Sequence, residues 1–493
     1  MNILLVYPEH PTTFWSFKHA LKFVSKKSNL PPLGILTIAS MLPEVWNRKV
    51  VDMNAGPLNE KDIQWADYIF ISAMNIQRDS TRSVIDLCKK LNKKTVGGGP
   101  LFTTEFENYD DVDYLLLYEG EIALPKFLKD LAMGTPKHLY GWEGYPELAE
   151  TPIPAWDLID KNKYMMLSIQ YSRGCPFHCD FCNVVSLFGN TPRTKSSTQI
   201  IEELEAIHRQ GWRGGIFFVD DNFIGNKKKL KEEVLPALIE WVQERNYPFT
   251  FFTEASINIA DDEELMDLMV EAGFNCVFVG IETVEEDSLA ECGKVQNTKR
   301  DLVECVKKIQ RHGMQVQGGF ILGFDNDKPS IYKRMISFIQ QSGIVTAMVG
   351  MLNAPKGTKL YERMEDEGRL LNNFSGTNTE INFQPKMDMD ELQAGYQDVV
   401  HSIYSPENYY RRIRVFLENY RPRKHRSEGF RASNILAFLK ACVRLGIFSK
   451  SRTEYWKLLF WSLFKKPDMF KLAVEFSVYG YHFRKCLPAR LPS

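Results

Sequence analysis

Short, continuous apolar runs alternate with amphipathic stretches over the first 140 residues of the chain. Asn2–Tyr7 (NILLVY) carries no polar interruption after Asn2, which predicts a strand buried on both faces, as in a parallel sheet. Val50–Met53, Tyr68–Ala73, Thr95–Gly97 and Tyr114–Tyr118 repeat the pattern, and helices are predicted over Leu33–Leu42 and Ser80–Leu91. Such alternation predicts a doubly wound α/β sheet, whose ligand lies beyond the carboxyl ends of the strands. The residues at those ends are Pro8, then Ser72, Ala73, Met74, Asn75 and Gln77, then Gly97, Gly98 and Gly99, then Glu119, Gly120 and Glu121. Three successive glycines let the backbone approach a bulky ligand, although a generic turn would use them too. A G-x-G-x-x-G turn after the first strand, which a dinucleotide site would need, is absent.

A Pro-rich linker, Thr151-Pro-Ile-Pro-Ala-Trp156, leads into a second alternating series. Its predicted strands are Met165–Gln170, Gly215–Val219, Phe249–Glu254, Cys276–Ile281, Gln317–Leu322 and Ile344–Met351. Six strand–helix units suit a partial (β/α)6 barrel, in which reactive residues gather on the carboxyl-end loops. Those loops hold Asp220 and Asp221, Glu254 and Ser256, and Glu282. Each has a structural alternative: Asp220 or Asp221 as a helix cap, Glu254 as a partner of Arg173 or Lys195. The expected domains are residues 1–145, a linker over 146–160, the barrel over 161–385, and a helical region over 386–493.

That last region alternates aromatic and basic residues at helical spacing, in Tyr409-Tyr-Arg-Arg412, Trp456–Lys466 and Met469–Phe483. From Glu407 onward there are 19 Lys/Arg against 6 Asp/Glu, although the whole chain is nearly neutral at −1. Such helices can pack on the barrel, lie peripherally on an anionic membrane, or bind nucleic acid. Nucleic acid is not expected, because no known binding module accompanies the charge. No apolar run reaches the length of a membrane span. A chain of 493 residues, 44% hydrophobic, is a folded protein of two or three domains. Nine cysteines without a paired framework, and no secretory pattern at Met1, point to the cytoplasm, with membrane association left open.

Three of those cysteines, Cys175, Cys179 and Cys182, are spaced C-x3-C-x2-C in Ser-Arg-Gly-Cys-Pro-Phe-His-Cys-Asp-Phe-Cys-Asn. Three thiolates on one short loop can hold three corners of an iron–sulfur cube and leave one iron open. A structural zinc completed by His178 is the alternative, but zinc sites favour two separated C-x2-C pairs. Cys88, Cys276, Cys292, Cys305, Cys442 and Cys486 are scattered and read as small apolar residues.

The cysteine loop resembles the signature of the radical S-adenosylmethionine (SAM) enzymes. The resemblance implies a [4Fe–4S] cluster on the three cysteines, with SAM chelating the fourth iron and reductively cleaved to a 5′-deoxyadenosyl radical. It places Phe181 near the SAM adenine. The FVDDNF segment stands where the family has Gly-Gly-Glu, so the residue meeting the SAM amine is left among Asp220, Asp221 and Asn222. Gly319–Gly323, with Ile321 and Gly323, resembles the strand that packs the adenine, with Asn326 in place of the usual acidic residue. Ala354–Tyr361 resembles the loop closing the same barrel.

The first domain, directly before this loop, resembles the cobalamin-binding domain of the cobalamin-dependent subclass. The Asp-x-His-x-x-Gly motif is missing and neither His10 nor His19 fits it, which implies cobalamin without a histidine ligand. The tail would pass Gly97–Gly99, with Ser72–Gln77 and Glu119–Glu121 flanking the corrin. Segments across nearly the whole chain resemble the subgroup of the hopanoid C-2 methylase and the bacteriochlorophyllide C-8 and C-12 methyltransferases. That likeness implies C-methylation of an unactivated carbon in a hydrophobic polycycle, with methylcobalamin as methyl donor and an external flavodoxin- or ferredoxin-like one-electron donor. A tetrapyrrole is slightly favoured over a hopanoid. A cobalamin-associated radical cyclase or rearranging enzyme and a non-enzymatic cobalamin sensor are the remaining alternatives.

Overall fold

The computed structural model describes residues 1–371, 381–423 and 432–487. The chain divides into two compact units: Met1–Ser16, Lys26–Cys175 and Val184–Phe217 in one, Phe17–Ser25, Pro176–Asn183 and Phe218–Ser493 in the other.

The first unit is built on a six-stranded parallel sheet of β1 (Asn2–Tyr7), β2 (Asn47–Asp52), β3 (Tyr68–Ser72), β4 (Lys94–Gly98), β5 (Tyr114–Leu116) and β6 (Leu139–Tyr140). Its order is β2-β1-β3-β4-β5-β6. The unbroken apolar run of β1 has the expected cause. Leu4 and Val6 enter one core with Ile69, Ile71, Val84, Ile85 and Cys88, while Ile3 and Leu5 enter a second with Ile35, Ala39, Phe70 and Phe127. Helix α2 (Arg78–Lys90) therefore covers one face, and α1 (Leu33–Met41) and α3 (Gly120–Ala132) the other. Strand β5 stops two residues short of expectation, and Tyr118 just beyond it takes a left-handed backbone, φ 62°. Strand β6 was not foreseen; two paired residues leave no readable alternation.

A second six-stranded sheet has the order β14-β13-β12-β11-β10-β7. It comprises β7 (Met166–Ile169), β10 (Gly215–Phe218), β11 (Thr250–Glu254), β12 (Phe274–Glu282), β13 (Gln315–Leu322) and β14 (Ala347–Met351). All six expected barrel strands are present, and β11 to β14 pair in parallel. Between the strands run α4 (Ser197–Arg209), α5 (Leu235–Glu244), α6 (Glu263–Ala272), α7 (Leu302–Arg311) and α8 (Ser330–Ser342). A small antiparallel pair, β8 (Ser172–Arg173) and β9 (Arg193–Thr194), brackets the cysteine segment in sequence.

The carboxyl-terminal helices are α9 (Met389–Ile403), α10 (Pro406–Asn419), α11 (Ala432–Ala441), α12 (Arg452–Lys465) and α13 (Phe470–Cys486). Asp388 caps α9 through the Glu391 amide, and Ser405 with Pro406 opens α10. Arg412 of α10 is fully buried; its guanidinium donates to Gln340 Oε1 of α8 at 2.7 Å and to the Ile403 carbonyl at 2.8 Å. Tyr409, Tyr410, Ile413 and Phe416 are buried beside it. Helix α10 is thus packed into its unit, as one reading of the tail expected. Among the described residues no helix is long and apolar enough to cross a membrane.

Candidate functional site

The cysteine segment is set by local backbone. Gly174 has φ 92°, and a Cβ there would lie 2.9 to 3.1 Å from the carbonyls of Gly189, Thr191 and Phe188. Only glycine meets both conditions, and the Cys175 amide then donates to the Gly189 carbonyl. Further on, the Cys182 amide donates to the Cys179 carbonyl, closing a tight turn. The Asp180 amide donates to the Cys292 carbonyl, and the Asp180 carbonyl accepts from the Leu360 amide. Phe181 meets Phe324 edge-on at 6.2 Å between ring centres.

All three cysteines are reduced and partly exposed, whereas Cys88, Cys276 and Cys292 are buried. The Cys292 thiol donates to the Leu289 carbonyl at 3.6 Å. Partly exposed thiols are the kind of soft donor a metal–thiolate group takes, whereas the buried Cys292 is occupied by a carbonyl.

Two residues that sequence reasoning missed stand beside Cys179. The Gln296 amide lies 4.0 Å from its sulfur as a donor, and Gln296 Oε1 is buried without a partner. The Lys294 ammonium donates to Glu282 Oε1 at 2.7 Å. Burial draws the Lys294 ammonium down, but Glu282 and Cys179, and to a smaller extent Cys182, hold it above its usual range. Glu282 itself is buried, ends β12 with a left-handed backbone of φ 63°, and follows a register shift at Gly280. A Cβ at Gly280 would sit 2.9 Å from Lys294 Nζ, so glycine there permits the ion pair. Neither residue belongs to a motif. The signal was a lysine and a glutamine twelve and fourteen positions past Glu282, visible only once the chain had folded back.

The expected carboxyl-end residues of the second unit fall into two groups. Glu254 lies in the field of Asp221, Asp220 and Glu282; burial, then those carboxylates, push its carboxyl up to about 8 against the pull of Lys294. Asp220, Asp221, Glu254 and Glu282 are therefore brought together electrostatically. Asn222 instead ties a turn: its Oδ1 accepts from the Ser256 amide at 3.1 Å and from the Ser256 hydroxyl at 3.3 Å. Arg173 and Lys195, offered as partners of Glu254, are engaged elsewhere, with Glu119 and Glu121 and with Glu203. Ile321 pairs with Gly350 in the sheet. Gly323 turns the chain after β13 at φ 105°, where its amide and that of Phe324 donate to Asp327 at 2.9 and 3.2 Å. Burial pushes the Asp327 carboxyl up to about 6. Asn326 bonds Glu291.

In the first unit the parallel sheet brings every expected strand-end residue to one end. Gln77, 1% exposed, donates to the Pro8 carbonyl at 2.5 Å and accepts from the Met74 amide at 2.8 Å. It thereby locks the ends of β1 and β3, next to the point where strand order reverses. Met74 remains 48% exposed there, beside a buried Ala73, an apolar surface suited to a corrin edge. Asn75 bonds Thr104 and Glu105. A Cβ at Gly97 would strike the Phe102 ring at 2.8 Å, and Gly99 has φ 89° against the Ser72 hydroxyl and the Ala73 backbone. Gly98 faces the Leu116 carbonyl, and Gly120 the Ile38 side chain. Glu119 and Glu121 form ion pairs with Arg173, and Glu119 also with Arg193.

Residues 23–128 match a B12 binding domain, residues 169–339 the radical SAM superfamily, and residues 358–489 a domain of unknown function, DUF4070. An uncharacterized methyltransferase of Synechocystis is 38% identical over 98% of this chain and 91% of its own. The hopanoid C-2 methylase of Rhodopseudomonas palustris is 33% identical over 92% of this chain and 88% of its own. The bacteriochlorophyllide d C-12(1)-methyltransferase of Chlorobaculum tepidum is 23% identical over 74% and 79%. Among solved structures, the radical SAM methyltransferase TsrM of Kitasatospora setae, with cobalamin and a [4Fe–4S] cluster bound, has the same fold. Its TM-score is 0.63 at 13% identity, covering 98% of this chain and 99% of that one. Fold and cysteine segment together define a radical SAM enzyme with a B12-binding domain. The chain belongs to the cobalamin-dependent radical SAM methyltransferase family, which removes the zinc and sensor readings.

Proposed function

We propose that this enzyme methylates an unactivated carbon of a rigid, hydrophobic polycycle, and that a hopanoid is favoured over a bacteriochlorophyllide. The lean toward a tetrapyrrole is revised because the hopanoid C-2 methylase is similar over 92% of the chain at 33% identity. The tetrapyrrole relative reaches 74% at 23%. Cys175, Cys179 and Cys182 would hold the cluster, the carboxylates around Glu254 would meet SAM, and the strand ends near Met74 and Gln77 would meet cobalamin. Cluster, SAM and cobalamin held there would supply radical chemistry and a methyl donor, and the residues would position them. Such chemistry is needed because no side-chain base removes a proton from an unactivated carbon near neutral pH.

The chain's own contribution is positioning and charge. Lys294 and Gln296 present a cation and an N–H donor beside Cys179, which favours the more negative, reduced state of a metal–thiolate group there. Asp220, Asp221 and Glu282 would offer negative charge for the amine of SAM, with the protonated Glu254 carboxyl among them. The observation that carries the reading is this convergence of one accessible cysteine, one cation and four carboxylates at the strand ends of one sheet. Reductive cleavage of SAM consumes one electron, so an external one-electron donor would be required. The test is mass spectrometry of products from anaerobic assays with hopanoid and with bacteriochlorophyllide substrates. Methylation of the hopanoid alone is the expected result; methylation of the tetrapyrrole alone would reverse the preference, and methylation of neither would exclude both.

A further inference from the structure

Nine of the 22 most exposed large apolar residues among those described fall within thirty positions of the tail: Ile435, Leu436, Leu439, Val443, Ile447, Phe448, Phe460, Leu463 and Phe464. The first five recur at a spacing of one, three and four along α11 and the helical turn after it, a single face of a helix. The opposite face is used internally: Phe438 meets Phe470 of α13 at 5.8 Å, and Leu445 is buried. Trp456 joins the two helices of this surface. Its Nε1 donates to the Gly446 carbonyl at 3.0 Å, and its ring lies 5.9 Å from that of Phe460. The most prominent side chains are Phe448 and Phe464, 79% and 78% exposed.

Cations flank this apolar surface. Residues 435–471 contain eight Lys/Arg and two Asp/Glu. Arg444, Lys450, Arg452, Lys457, Lys465 and Lys471 are exposed. Lys457, Phe460 and Phe464 follow one another at helical spacing on one side of α12, so charge and apolar surface share a face. A second copy of the chain would bring two such cationic rims together, which opposes self-association through this face. An anionic bilayer satisfies both parts at once: phenylalanines enter the acyl boundary while lysines and arginines stay at the headgroups.

We propose that α11, α12 and the turn between them form a docking surface for an anionic lipid bilayer, on which the enzyme sits peripherally. This goes beyond the methylation reading and does not depend on it. Holoprotein purified anaerobically with cobalamin is co-sedimented with phosphatidylglycerol-rich vesicles and with pure phosphatidylcholine vesicles. Binding to the anionic vesicles, weakened by salt and absent from the neutral ones, is expected. The F448D/F464D variant should lose at least about tenfold in partitioning while keeping its cobalamin and iron. The K450E/K457E variant, altered only at exposed cations, should bind less and lose salt sensitivity. Absence of binding to either vesicle, or undiminished binding of both variants, overturns the proposal. So does a solution dimer that F448D/F464D dissociates, which would give the face to a second copy.

Discussion

Arg173, two positions before Cys175, meets Glu121 in a two-pronged ion pair, with N–O distances of 2.7 and 3.1 Å. The same guanidinium also reaches Glu119, whose other oxygen accepts from Arg193. Both carboxylates stand at the start of α3, just past the carboxyl end of β5, so the strand that leads into the cysteine segment is tied to the end of the first sheet. Burial alone would raise the Glu121 carboxyl, but Arg173 outweighs it and holds the group below its usual value. Two-pronged geometry and near-complete burial make this more than a surface pair.

Arg173→Met should therefore cost about 3–5 kcal/mol of stability, because it leaves two buried carboxylates short of a partner. Urea unfolding of the apo chain measures it. The sign of the pH dependence follows from the depressed carboxyl. The stabilisation from Glu121 is present above its unfolded-state value and is lost as pH falls through the lower folded value. A wild-type-minus-variant difference that grew on acidification would contradict the pairing.

Glu254 gives the opposite slope. Its carboxyl is raised to about 8 in the fold, so the folded chain holds a proton that the unfolded chain releases above about 4.5, the ordinary glutamate value. Its contribution is most favourable below that lower value and is lost as pH rises toward 8. Glu254→Gln should stabilise the apo chain progressively between those limits, with no further gain above them. A gain that shrank with rising pH would show the group ionised in the fold.

Gly174→Ala should remove the cluster without removing cobalamin. The left-handed backbone would cost an alanine about 1 kcal/mol or more, and its Cβ would press on three carbonyls. Iron analysis and visible absorbance of anaerobically reconstituted protein are the readouts. Full iron occupancy would contradict the role given to this turn.

Lys294→Met and Gln296→Leu should each lower the reduction potential of the bound cluster, the lysine change more, since each removes positive charge or a donor near Cys179. A redox titration followed by electron paramagnetic resonance measures the shift. Unchanged potentials in both variants would mean that neither group acts on the sulfur.

Most of the scaffold was legible in the sequence because buried parallel strands leave unbroken apolar runs: NILLVY names β1, and the six barrel strands announce themselves in the same way. The cysteine spacing was equally plain, since it is local. What could not be read depends on distance along the chain. Arg173 and Glu121 are 52 residues apart, and Lys294 comes to Cys179 from more than a hundred positions away. Isolated charges carry no periodicity that would announce such meetings. The glycine triplet illustrates a different limit. Its composition suggested room for a ligand, yet Gly97 is also required by the Phe102 ring and Gly99 by its own backbone angle. Asn222 was one of three candidates for the SAM amine, and its hydrogen bonds to Ser256 are of a kind that sequence cannot distinguish from ligand contacts.

The most direct test is product stoichiometry in an anaerobic reaction of the cobalamin- and cluster-loaded enzyme with SAM, a reductant and a hopanoid. Each methylated molecule should be accompanied by one S-adenosylhomocysteine and one 5′-deoxyadenosine, the first from the methyl-donating SAM and the second from the radical-forming one. Formation of 5′-deoxyadenosine without S-adenosylhomocysteine, or of neither, would contradict radical C-methylation by this chain.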